Sequence, residues 1–129
     1  MMKLTFLKLE GLHGPSYAPR HIGDFEVSPY YTFSHQPILR AGPNAMSQAN
    51  FNHLLVYKRT DAASTPLKLA WTNSRAFATG ELIIEEVSAA GHLLRTTAFK
   101  MRSIVLEKIS SLGNEDAIGL KFESLNVVG

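Results

Sequence analysis

The sequence predicts a mainly β fold, a small antiparallel β-barrel with one short flanking α-helix, in a single domain over residues 1–129. Three observations carry that reading. Apolar and polar residues alternate with period two along several stretches, as strands with one dry and one wet face do. Clusters rich in Gly, Pro, Asn and Ser punctuate those stretches. One stretch alone switches to helical spacing. Five or six antiparallel strands with one helix fit a small barrel or sandwich.

The elements follow in chain order. Lys3–Glu10 reads as a strand rich in β-branched, aromatic and aliphatic residues. Next, Phe25, Val27, Tyr31 and Phe33 share one face, and Asp24, Glu26, Ser28, Thr32 and Ser34 share the other. Pro29 on the apolar face cannot donate a ladder hydrogen bond, which suggests an edge or a bulge. Phe51–Thr60 is another strand. In Asp61–Trp71, Ser64 or Thr65 is a suitable cap and Pro66 suits the first helical position. Leu67, Ala70, Trp71 and Ser74 then recur at helical spacing, giving one helix over about Pro66–Ser74. Leu67 and Trp71 are its expected structural anchors against the barrel wall. Gly80–Val87 and Leu93–Ser110 are further strands. The second is too long to run straight. A bend is expected near Lys100–Ser103, because Phe99 and Met101 share a parity that Ile104 and Leu106 do not. Ile118, Leu120 and Phe122 mark the closing strand.

The chemistry of the chain is mostly a set of exclusions. There is no cysteine, so there is no disulfide, thiolate zinc site, iron–sulfur cluster or thiol nucleophile. His13, His21, His35, His53 and His92 are scattered without metal-ligand spacing and read as surface imidazoles, so neither a metal nor a cofactor is expected. Glu85 and Glu86, adjacent on a strand, point to opposite faces and cannot form an acid/base pair. One is expected to be exposed and the other to form a cross-strand ion pair. No GxSxG elbow and no glycine-rich phosphate loop is present. Net charge is +2, and no basic run marks a nucleic-acid partner. No apolar run approaches bilayer length, so membrane insertion is not expected. Lys8 and Glu10 interrupt any signal-peptide core near the start. Residues and spacing alone stop at a mostly-β domain that is not an enzyme. A monomeric β-barrel binding a small ligand stays open as an alternative, as does a hydrolase with a scattered His/Ser/Asp set.

The order of motifs adds a resemblance. Phe6-Leu7-Lys8-Leu9-Glu10-Gly11-Leu12-His13-Gly14 resembles the opening strand and turn of the haemolysin-coregulated protein (Hcp) family of type VI secretion. Lys58-Arg59-Thr60-Asp61 with Ser64, Pro66 and Leu67 resembles that family's Lys-x-x-Asp-x-x-Ser-Pro-x-Leu approach to its helix, here with Thr65 inserted before the proline. Val87–Gly91, Leu94, Phe99, Ile104 and Val105 resemble its next hairpin, and Glu115, Ile118, Leu120 and Phe122 its closing strand. The family's Trp-x-Trp-Gly is replaced by Tyr30-Tyr31-Thr32-Phe33. The resemblance implies a structural subunit. Such proteins form homohexameric rings that stack into a tube, and a contractile sheath drives the tube out with tip and effector proteins. It also implies a cytoplasmic location before firing and secretion without a cleaved signal peptide. Some relatives carry a toxin domain after the barrel, and none is expected in this chain.

Gln36–Asn50 is the remaining feature. It reads as a loop of about fifteen residues, far longer than a hairpin needs. Its content is apolar for a loop, with Ile38, Leu39 and Met46 beside a single charge at Arg40. The resemblance implies that this loop reaches a neighbouring ring, so Ile38, Leu39, Arg40, Met46 and Gln48 are the candidate oligomer-interface residues.

Overall fold

Alternation of apolar and polar residues becomes eight strands, which with one helix make up the elements of the described chain. The computed structural model describes residues 2–16, 21–39, 48–61 and 64–129, with backbone alone at 35–39 and 48–51. The elements are β1 (Met2–Leu9), β2 (Phe25–Val27), β3 (Tyr31–Leu39), β4 (Gln48–Arg59), α1 (Ser64–Thr72), β5 (Ala76–Val87), β6 (Leu93–Leu112), β7 (Glu115–Phe122) and β8 (Ser124–Val128). Every pairing is antiparallel, in the order β2-β1-β5-β6-β7-β4-β3, with β8 also on β6. The ladder does not close: β2 and β3 sit at opposite ends of that order. Across the gap the Ser28 N–H donates to the Tyr57 carbonyl at 2.7 Å. The expected barrel is therefore an open one, a single curled sheet around one core.

The long strand β6 does the curling. Its residue Ser103 has φ 55°, and Met101 and Ile104 on either side of it both point inward. That is the parity change that the sequence places near Lys100–Ser103. Further along, a register shift against β7 falls between Leu106 and Lys108, after which Ile109 is buried again. Two such irregularities bend one strand around the core. They also let one edge of β6 pair first with β8 (Ala98–Arg102) and then with β7 (Val105–Leu112). Gly80 on the neighbouring β5 is held by space. A Cβ there would lie 2.5 Å from Ile104 Cδ1 and 2.8 Å from the Lys8 carbonyl.

Inward residues of all the long strands meet in one core that includes Leu7, Leu54, Phe77, Leu82, Ile118 and Phe122. The helix plugs it with Leu67 and Ala70. It begins at Ser64, slightly earlier than the spacing suggests, and Pro66 sits in its first turn, where no backbone partner is lost. Trp71 departs from the expected anchor role: it remains 37% exposed. Ser64, Leu67 and Ala70 form a narrow i, i+3, i+6 stripe, and Trp71, about 100° round from Ala70, falls on its rim. Its indole N–H donates to the Glu107 carbonyl at 3.1 Å.

The expected long loop is also corrected. Gln36, Pro37, Ile38 and Leu39 pair with Phe51, Asn50, Ala49 and Gln48. The hairpin strands run further than the turn-like residues suggest, and residues 40–47 lie outside the described residues. Pro37 is tolerated because β3 is an edge strand.

Two leucines of the helix separate core from surface. Leu67→Ala is expected to cost about 2–5 kcal/mol, as a buried truncation does. Leu69→Ala, on the exposed side, should stay within about 0.5 kcal/mol. Urea unfolding of the two variants checks both values.

Candidate assembly surface and its internal support

The start of the helix is fixed from below by a buried polar network. Ser64 Oγ donates to Asp116 Oδ2 at 2.5 Å, and Asp116 Oδ1 also accepts from Thr60 Oγ1 and Ser111 Oγ, each at 2.9 Å. Lys58, almost fully buried, donates from Nζ to Asp61 Oδ1 at 2.6 Å, to the Arg59 carbonyl at 2.7 Å and to Ser64 Oγ at 3.3 Å. Burial of Asp116 would raise its pKa. Hydrogen bonds from Ser64, Ser111 and Thr60, with the nearby Lys68 charge, outweigh that and bring it below the ordinary aspartate value. Ser64 and Lys58 resemble a nucleophile and base in residue type only. The Ser64 hydroxyl donates to Asp116 rather than to Lys58, so its proton is not directed at the amine.

A second polar anchor was not legible in the sequence. His21 is not a surface imidazole: it is 5% exposed. Its Nδ1 lies 3.1 Å from Asp24 Oδ2, its Nε2 lies 3.0 Å from Glu85 Oε1, and its ring stacks on Phe6 at 4.1 Å. It ties the stretch between β1 and β2 to both β1 and β5. Glu85 and Glu86 do face opposite ways. Glu86 forms the cross-strand pair, 3.9 Å from Lys3, while Glu85 is buried rather than exposed. Only Asp24, three residues from His21, lay within local reach. Glu85 is brought in by the fold, and no spacing rule marks it.

Two apolar regions stand out on the surface of the described residues. The first is a groove of about 780 Å³ on the outer side of β4 and β7, walled by Leu55, Leu112 and Trp71 and floored by Ala117 and Gly119. The second is β8, where Leu125 is 41% and Val127 56% exposed. These two stand opposite Met101 and Phe99 of β6, so they extend the inner, apolar face of the sheet beyond its cover. Of the sequence-derived interface residues, Ile38, Leu39 and Gln48 come together at the end of the β3–β4 hairpin. Arg40 and Met46 lie outside the described residues. Trp71 joins the groove rather than the core, and Leu67 lies in the core.

Comparison with known proteins follows this geometry. The family described as type VI secretion system effector, Hcp, matches residues 6–127. Among solved structures, Hcp1 from Salmonella typhimurium superposes with a TM-score of 0.72 at 16% identity, over 98% of this chain and 93% of that one. Secreted protein Hcp3 from Pseudomonas aeruginosa gives 0.64 at 12% identity, over 98% and 97%. A type VI secretion system effector from Yersinia pestis gives 0.63 at 15%, over 92% and 83%. At these identities the likeness to solved structures speaks for the fold alone. No curated protein sequence matches.

The lowered pKa of Asp116 sets a pH dependence. The folded chain binds this proton more weakly than the unfolded chain does. The contribution is therefore fully present above roughly pH 4, the ordinary aspartate range, and is lost as pH falls through the lower folded value. Asp116→Asn should remove that acid-side slope and cost about 1–3 kcal/mol at neutral pH. Urea unfolding at stepped pH measures both.

Proposed function

Because the chain belongs to the Hcp family of type VI secretion, whose members are structural tube proteins and not enzymes, we propose that it is a working subunit of the inner tube. Copies close into hexameric rings, the rings stack, and the tube leaves the cell with effectors in its lumen or at its tip. Sheath and tip proteins are its other partners. The subunit waits in the cytoplasm and is released at firing without a cleaved signal. The observation that carries this reading is the family match, which runs from β1 into β8.

The fold supports it. A monomeric ligand-binding barrel needs room inside. Here Phe77, Leu82, Ile118, Leu120 and Phe122 fill the interior, and the grooves lie outside. The uncovered apolar surface described above suits a chain that meets copies of itself.

Ile38, Leu39, Arg40, Met46 and Gln48 are proposed as ring-to-ring contacts. Replacing residues 40–46 with a Gly-Ser linker tests this. The subunit should melt as the unaltered protein does and still form rings, while stacking and secretion fail. Intact stacking and secretion, or an unfolded subunit, would overturn the contact role.

A further inference from the structure

We infer that the two apolar regions are the two halves of one contact between neighbouring copies. The groove walled by Trp71, Leu55 and Leu112 is the socket, and Leu125 and Val127 of a second copy's β8 are the insert. This rests on the tube reading above and names the surfaces it uses.

The occupant follows from symmetry and placement. A ring of identical subunits needs two different, complementary patches on each copy, joined head to tail. The groove and the β8 strip are such a pair. Both are apolar. They lie on opposite faces of the sheet, the strip beside Phe99–Met101 and the groove beside Lys108–Leu112 of β6. One copy therefore cannot cover its groove with its own β8. The strip carries no charge along Ser124–Val128, and its outer edge pairs with no other strand among the described residues. Exposed edges of free-standing proteins are normally guarded by charge, proline or a bulge, so this one is built to be covered. The groove floor is low because its outward positions are Ala117 and Gly119, which leaves room for a Leu and a Val side chain. The Trp71 indole N–H is already satisfied by Glu107, so its ring can stand as an apolar wall without a buried unpaired donor.

The absence of cysteine makes the test free of background. Leu55→Cys and Val127→Cys are combined in one chain and treated with a short bismaleimide. A head-to-tail contact gives a covalent ladder ending at six copies, and neither single variant gives any product above monomer. A ring-forming double variant without a ladder overturns the inference, as do dimers from a single variant, which would mark a two-fold contact. A second arm avoids crosslinking. At Gly119 a Cβ meets only Lys108 backbone at 3.6 and 3.9 Å, ordinary contacts, so Gly119→Val should fill the socket and keep the melting temperature. Val127→Asp places a charge on the insert. Sedimentation should show each variant's ring fraction reduced by about tenfold or more, because an unpaired charge or a blocked pocket is costly at a desolvated contact. Folded variants that form rings as well as the unaltered chain overturn the inference. If the unaltered chain itself remains monomeric, the tube reading fails before the variants are compared.

Discussion

One buried carboxylate holds the ends of four elements in place. Asp116 at the start of β7 accepts hydroxyls from Ser64 of α1, Thr60 just after β4 and Ser111 near the end of β6. An ionised group in that position is tolerable only because its lone pairs are satisfied. Lys58 extends the network by donating to both Ser64 and Asp61. The helix is short, and most helical stability comes from packing rather than propensity, so this attachment decides where it lies. Its position then sets two further things. Leu67 and Ala70 close the core, and Trp71 reaches the outer side to wall the groove.

The sheet has a matching logic. A fully closed barrel removes its edges, whereas this one keeps them. The edges differ: β2 carries Glu26 and β3 carries Pro37, whereas β8 has no Lys, Arg, Asp, Glu or Pro. Monomeric β proteins rarely leave long uncharged edges bare. In the assembly proposed above, such edges and the apolar residues beside them would serve as contact surface.

The parts legible in the sequence are those that depend on local pattern. Period-two alternation located most of the strands, and the parity break between Met101 and Ile104 located the turn of β6 at Ser103. Proline and serine near residue 64 located the helix to within two residues. What escaped depends on long-range meeting. His21 is three residues from Asp24, but Glu85 reaches it only because β1 and β5 pair. Trp71 fits the helical stripe by spacing, yet the core ends at Ala70. Gln36–Leu39 lacks clean alternation and contains Pro37, so pairing with 48–51 was not visible in it. Strand β8 follows β7 with almost no turn signal, and it is identified by its ladder to β6.

The family was legible for a different reason. The family reading rests on the order of weak motifs from Phe6 to Phe122, and the family match over residues 6–127 bears it out. The central claim, that copies of this chain close into six-membered rings, is most directly tested by negative-stain electron microscopy of the purified protein. End-on particles with six-fold symmetry and a central opening are the predicted result. A field of single small barrels at micromolar concentration, with no rings, would contradict it.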